Sequence, residues 1–230
     1  RPDRRTGARS LRHHKPLPSI VMRLELHSYR GPVVRMRLEH TPQMRAPLQL
    51  SPRRELCFAC PTCGADLRPA AGGLRCAAGH MVNVAKQGHI HLLPPAKVDA
   101  AAQAEDDEIA RASRAFYDAG GFQVQVEGVA AEVARALAQG GCEGRAQVLD
   151  AGCGEGAYLR QLGELLGDGA AQCWGTDTRK LAVRYAATRQ RSARFAIASP
   201  HSLPFADGSF DLVFSVFAPS PWEEFCRVLR

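Results

Sequence analysis

What this 230-residue chain lacks narrows the possibilities before any motif is read. No run of about eighteen apolar residues occurs, so no transmembrane helix is expected. No secretory signal is recognisable, and of the eight cysteines Cys142, Cys153, Cys173 and Cys226 are scattered through a region patterned as α/β. A secreted disulfide scaffold is therefore excluded, and a reducing, cytoplasmic setting is expected. Lysine is nearly missing, only 4 of the 30 basic residues, and this carries no functional weight. Acidic residues are scarce in one place only. Residues 1–55 hold 13 basic against 4 acidic side chains, whereas the remaining 175 hold 17 against 19. The net charge of +7 thus belongs to the N-terminal arm, and any basic patch on the folded part has to be built locally.

The arm, residues 1–55, shows no sustained period and is expected to be disordered and solvated. Residues 56–95 form a cysteine/histidine module, 96–122 a linker containing a helix, and 123–230 a longer domain. That domain opens with a helical stripe, Val126, Val129, Ala130, Val133 and Leu137, stopped at Gly140-Gly141. Strand and helix then alternate. "AQVLDAG", "AQCWGTD", "ARFAIA" and "FDLVFSVF" read as buried strands, with "YLRQLGELLG" and "RKLAVRYAATRQ" as helices. Alternation of this kind predicts right-handed crossovers and a doubly wound, Rossmann-like parallel sheet. The chain stops after its fourth strand, so a truncated domain with "LVFSVF" as an exposed apolar edge is expected, as are poor solubility or weak ligand binding.

Cys60-x2-Cys63, twelve residues, then Cys76-x3-His80 is a ligand set for tetrahedral zinc. Gly64, directly after the first pair, and Gly79, inside the second, can supply the positive φ that such knuckles need. Four protein ligands leave no open position, so the metal is expected to be structural. Cys57 offers an overlapping CxxC pair and is read as a spare thiol. His89 and His91, alternate residues of one strand, are expected to share a face turned to the surface or to RNA.

"VLDAGCGEGAY" (148–158) is strand, acid, Gly-x-Gly-x-Gly, helix. Gly152, Gly154 and Gly156 allow a tight turn with close backbone approach, and the helix start offers unpaired N–H groups. A dinucleotide site is the rival. Against it, Asp150 suits an amino-acid ammonium group and Glu155 stands where a pyrophosphate would sit. Asp177, ending the second strand, is placed for both ribose hydroxyls. The pattern describes S-adenosylmethionine. Ala198 and Ser199 end the third strand where an adenine edge would lie, with Leu203-Pro204 as an apolar wall. Ser220, Pro221 and Glu223 read as N-cap, first-turn proline and capping-box partner of the last helix. Asp211 reads as a strand-entry residue.

With these pieces in order, the chain from about Cys60 onward resembles the bacterial large-subunit (23S) ribosomal RNA (guanine-N1)-methyltransferases, a family that includes macrolide-resistance members. "CPTCG…CAAGH", "NVAKQGHIHLLP", "RAFYDAGGF", "VLDAGCGEGAY", "ASPHSLPF" and "FAPS" carry the resemblance. It implies a class I methyltransferase domain that alkylates guanine N1, and a structural zinc module that helps recognise an rRNA hairpin. It implies Cys60, Cys63, Cys76 and His80 as metal ligands, and contacts from Gly154, Glu155 and Phe122 to the cofactor. Two other readings remain open. One is a zinc/RNA-binding module with a non-catalytic cofactor domain, and the other a small-molecule methyltransferase with a zinc appendage.

Overall fold

The computed structural model describes residues 20–28, 32–40, 58–94, 99–140, 145–167 and 169–230, the first two segments as backbone. In chain order the strands are β1 (Ile20–Ser28), β2 (Pro32–His40), β3 (Arg68–Ala70), β4 (Gly73–Arg75), β5 (Met81–Val82), β6 (Ile90–His91), β7 (Ala146–Ala151), β8 (Ala171–Asp177), β9 (Arg194–Ile197) and β10 (Leu212–Val216). The helices are α1 (Ala100–Asp118), α2 (Gln123–Gly140), α3 (Ala157–Leu166), α4 (Lys180–Arg189) and α5 (Trp222–Val228). One seven-stranded sheet runs β2-β1-β10-β7-β8-β9-β6, and β3-β4-β5 make a small antiparallel ribbon.

The central strands β10, β7, β8 and β9 are parallel, as the alternating pattern dictates. Val148, Leu149, Leu212 and Val213 are wholly buried, the signature of strands covered on both faces. The two faces pack against different partners. Val148, Cys173, Phe195, Leu212 and Phe214 join the stripe of α2 and residues of α3 and α4. Their alternates Leu149, Trp174, Ala196 and Val213 join Phe58, Leu67, Cys60 and Cys76 of the zinc-ligand module and Phe225 of α5. The cysteine/histidine module therefore serves as a wall of the domain core. Phe58 sits edge-on to Trp174 at 5.0 Å between ring centres and 5.3 Å from Phe205. Such aromatic pairs add about 0.5–1.5 kcal/mol each beyond area burial.

Three features depart from the sequence reading. First, β6, the "IH" of the module, pairs in parallel with β9 through Ile90↔Ala196 and His91↔Ile197, so the module also supplies an edge strand. Second, β10 is not an exposed edge. The backbone of β1 lies parallel beside it, from Ile20↔Leu212 to Leu24↔Val216, and β2 returns antiparallel. The sequence carries that signal: Met22, Leu24 and Leu26 alternate with Arg23, Glu25 and His27, and Val34, Met36 and Leu38 with Arg35, Arg37 and Glu39. Arginine at every second place is strand periodicity as well as charge. Third, α5 is capped at Pro221 with no side-chain hydrogen bond, while Ser220 Oγ donates to Ala218 O at 3.2 Å. Glu224, not Glu223, is the engaged carboxylate, accepting from Leu203 N at 2.6 Å. Asp211 does enter a strand, accepting from Gln147 N at 2.7 Å.

Candidate functional site

The knuckles form first from local hydrogen bonds. Gly64 N donates to Cys60 O, and Cys60 N to Ala65 O, both at 2.8 Å, while Gly79 N donates to Cys76 O at 2.9 Å. Gly64 and Gly79 take φ of 72° and 88°, the left-handed turn that releases each second ligand toward the first. The four ligating atoms of Cys60, Cys63, Cys76 and His80 lie within 4.8 Å of one another. Cys63 Sγ is 3.6 Å from Cys76 Sγ, and His80 Nδ1 is 3.4 Å from Cys76 Sγ and 3.7 Å from Cys60 Sγ. Tetrahedral zinc with its usual bond lengths requires S···S of about 3.8 Å and S···N of about 3.6 Å. The donor set fits zinc, with Nδ1 as the imidazole ligand. Burial acts to raise the Cys60 thiol, but backbone N–H groups of Thr62 and Cys63 and the neighbouring thiols outweigh it and bring it to about 6. Cys57 lies outside the described residues.

The second site stands at the carboxyl ends of β7, β8, β9 and β10, where the strand order reverses about β7. Gly152, Gly154 and Gly156 all have positive φ, 91°, 54° and 85°. At Gly152 a Cβ would also meet the Ala218 Cβ at 2.2 Å, so only glycine lets the loop pass the segment after β10. Gly152 N and Cys153 N donate to Thr176 O at 2.7 and 2.9 Å. Asp177 Oδ2 accepts from Gly154 N at 2.9 Å, and Asp177 Oδ1 from Arg179 N at 2.9 Å. The Arg179 side chain also donates to it, Nε to Oδ1 at 3.3 Å and Nη2 to Oδ2 at 3.5 Å, so Asp177 holds the glycine loop against β8 and pairs with the start of α4.

Asp150 is 1% exposed and neither carboxylate oxygen has a partner among the described residues. Burial, and after it the charge of Asp177, pushes its carboxyl well above the usual range. A carboxylate that the chain leaves unsatisfied at a glycine-loop cleft calls for a donor from a ligand. An ammonium or ordered water of S-adenosylmethionine supplies one, so the residues present fit that cofactor.

Glu155 behaves differently from the sequence reading. It is buried and accepts from Arg189 Nη1 at 3.0 Å, while Arg189 Nη2 reaches Asp118 Oδ2 at 2.6 Å. Arg189 of α4 therefore ties the glycine loop to the end of α1. Its charge opposes that of Glu155, which weakens the argument from pyrophosphate repulsion and leaves Asp150 and Asp177 to carry the discrimination. Burial raises the Glu155 carboxyl to about 7 against the pull of Arg189.

Phe122 follows α1 with φ 56°, and Phe217 follows β10 with φ 55°. Their rings lie 6.0 Å apart, and both are exposed. Both are non-glycine residues in left-handed backbone, a strained state that concentrates at functional sites. Phe217 escaped the sequence reading because no local pattern announces such a backbone. Ala198 is buried with its N–H spent on Asp177 O, and Ser199 Oγ accepts from His201 N at 3.2 Å. Leu203 is not a cofactor wall: it is buried in the core beneath the module. His89 and His91 do not share a face, His89 being buried and His91 exposed.

Residues 148–230 match the family profile of a methyltransferase domain, and residues 58–98 match that of the RlmA N-terminal zinc ribbon. A 23S rRNA (guanine(748)-N(1))-methyltransferase of Streptomyces fradiae is 37% identical over 173 residues, covering 74% of this chain and 59% of that protein. YxjB of Bacillus subtilis, provisionally named a 23S rRNA (guanine-N1)-methyltransferase, is 32% identical over 177 residues, 75% of this chain and 60% of that protein. The chain thus spans about three fifths of the length of these curated relatives. The solved complex between the Haloferax volcanii Trm112 methyltransferase activator and a methyltransferase is similar at 28% identity and TM-score 0.41, covering 55% of this chain and 56% of that one.

Proposed function

We propose, for a chain that is homologous to the bacterial 23S rRNA (guanine-N1)-methyltransferases over three quarters of its length and carries their type of zinc ribbon beside a methyltransferase domain, that it transfers a methyl group from S-adenosylmethionine to N1 of a guanine in large-subunit rRNA. The observation that carries this reading is the unpartnered, buried Asp150 beside a loop of three left-handed glycines, with Asp177 closing the cleft.

The bound cofactor supplies an electrophilic methyl. The chain's own residues supply position. Asp150 holds the amino-acid end, and the glycine backbone lets the ligand approach β7. Asp177 keeps the loop seated, and ribose hydroxyls would take the place of its two longest contacts, those from the Arg179 guanidinium. The Ala198-Ser199 backbone borders the base, and the Phe122–Phe217 pair caps the edge from which the acceptor enters. When bound, the cofactor would supply the methyl for guanine N1, whose proton would pass to water or a base before or during the transfer. Holding donor and acceptor in line accounts for most of the acceleration. Residues 56–95 serve as the reader of an rRNA hairpin and 123–230 as the transferase, in the cytoplasm. No described helix is long and apolar enough to cross a membrane.

The deciding assay supplies labelled S-adenosylmethionine and unmethylated 23S rRNA, then maps the methylated base by mass. Label at guanine N1 supports the reading, and cofactor binding without any transfer to RNA sinks it. That second result would favour RNA binding without catalysis. Label on small acceptors alone would favour a small-molecule enzyme.

A further inference from the structure

Many cations in the described part of the chain are held by carboxylates, while Arg75 donates to Met81 Sδ and Arg194 lies over the Trp174 ring. Arg111 pairs with Asp107, Arg114 and Arg189 with Asp118, Arg135 with Glu132, Arg160 with Glu164, and Arg227 with Glu224 and Asp207. Lys86, Lys180, Arg184 and Arg191 differ. Each is exposed, and none has a carboxylate within ion-pair reach among the described residues. Lys86 is far from the other three in sequence, yet the fold brings it alongside them.

The topology explains why. Because β8 and β9 are parallel, the crossover helix α4 runs antiparallel to them, and β6 is parallel to β9 at the sheet edge. α4 and the segment 86–91 therefore run side by side in opposite directions, and three rungs connect them. At one end Arg191 Nη1 donates to Gln87 O at 3.5 Å, bringing Arg191 beside Lys86. In the middle Arg184 is near enough for its charge to act on His89: burial, and after it that charge, holds the imidazole below its ordinary range. At the far end the Lys180 charge reaches His91, an exposed residue whose imidazole partial burial and then that charge lower in the same way. Lys180 and Arg184 are four residues apart and so share one face of α4. At 1.5 Å per residue the helix gives the row a length of roughly 15 Å.

The ends of the row matter most. Lys180 starts α4 three residues after Asp177, at the cofactor edge, while Lys86 stands in the turn that leaves the zinc ribbon. A positive track without acidic counterparts, running from the ribbon to the transfer site, matches the chemistry of a phosphodiester backbone and of little else in a cell. We infer that Lys86, Arg191, Arg184 and Lys180, with His91 beside them, form a phosphate-binding ridge that lays the rRNA strand between the zinc ribbon and the methyl-transfer edge. The inference rests on the rRNA reading above and adds the path the RNA takes. The ridge is sequence-neutral; it sets register, and recognition of the particular base lies elsewhere.

The test compares the native chain, the double reversal K180E/R184E, the milder K180Q/R184Q, and R111E/R135E as a control of equal charge change on α1 and α2. Retained zinc and an unchanged circular dichroism spectrum qualify each variant; should the reversal misfold, the glutamine pair carries the experiment alone, since both side chains are exposed. Binding to 23S rRNA transcribed in vitro is followed across salt concentrations, and S-adenosylmethionine binding by calorimetry. The ridge predicts at least a tenfold loss of RNA affinity near 0.1 M salt for the reversal. For the glutamine pair it predicts a fall of about 1.5 in the slope of log affinity against log salt. Cofactor binding stays unchanged and the control stays near native. Equal affinity and slope in all four proteins overturns the ridge while leaving the rRNA reading standing. Ridge variants that lose only the binding of polyglutamate would also overturn it, pointing to an acidic protein surface. A native chain that binds the cofactor but no RNA removes the rRNA reading, and the ridge with it.

Discussion

Asp150 and Glu155 show how differently two neighbouring carboxylates are used. Asp150 is buried with no partner among the described residues, so folding without ligand carries an unreturned desolvation cost. Asp150→Ala is therefore expected to raise the melting temperature of the ligand-free protein while weakening S-adenosylmethionine binding at least tenfold, read by thermal unfolding and calorimetry. Glu155 gives a pH signature. Its folded carboxyl titrates near 7 against an ordinary 4.5. The folded state thus binds more protons than the unfolded one between these values, and stability falls as pH rises through that window. Glu155→Gln mimics the protonated form. It is expected to match the native chain at pH 4.5 and exceed it at pH 8 by up to about 3 kcal/mol. Coincident melting curves at both pH values would remove this account. Both acids were visible in the sequence, but their states were not: a carboxylate's partners come from elsewhere in the chain, here Arg189, 34 residues on.

Among the elements, the glycine loop and its helices were the most legible, because φ beyond the reach of other residues writes itself into sequence as glycine. Gly152→Ala puts a methyl at 2.2 Å from the Ala218 Cβ and a side chain at φ 91°. It is expected to cost about 2 kcal/mol or more and to abolish cofactor binding; a variant with native stability and affinity would contradict the packing described. Arg189 was hidden, although it joins α4 to α1 and to the loop. Arg189→Ala should release the end of α1, seen as faster amide exchange over residues 115–122 with β7 and β10 still protected. The β1–β2 hairpin lay in plain alternation, yet its arginines read as a charge run. β6 is too short for any period, and pairing with β9 across a hundred residues is what makes it a strand.

For the whole molecule, the zinc ribbon is part of the methyltransferase core. Phe58 and Leu67 pack with Trp174, Phe205 and Phe210, Ala59 N donates to Pro204 O at 2.8 Å, and Leu92 N donates to Ile197 O at 2.9 Å. Removal of the metal by a chelator is expected to lower the melting temperature of the entire domain in one transition and shift Trp174 emission toward that of a wetter indole. Two separate transitions, with the second at the native temperature, would mean that the ribbon folds independently. About one zinc per chain should be released.

The sequence by itself determined the cysteine/histidine cluster, the alternation of strands and helices in the central parallel sheet, and the loop that bends on three glycines. Each of these is local: ligand spacing, hydrophobic period and permitted φ act within a few residues. Tertiary structure alone decided that Phe217 meets Phe122, that Leu203 is spent on the core, and that the ribbon covers one sheet face and lends it an edge strand. It also decided that four unpaired cations form one row. These outcomes depend on which distant elements the crossover topology brings side by side, and no local pattern encodes that.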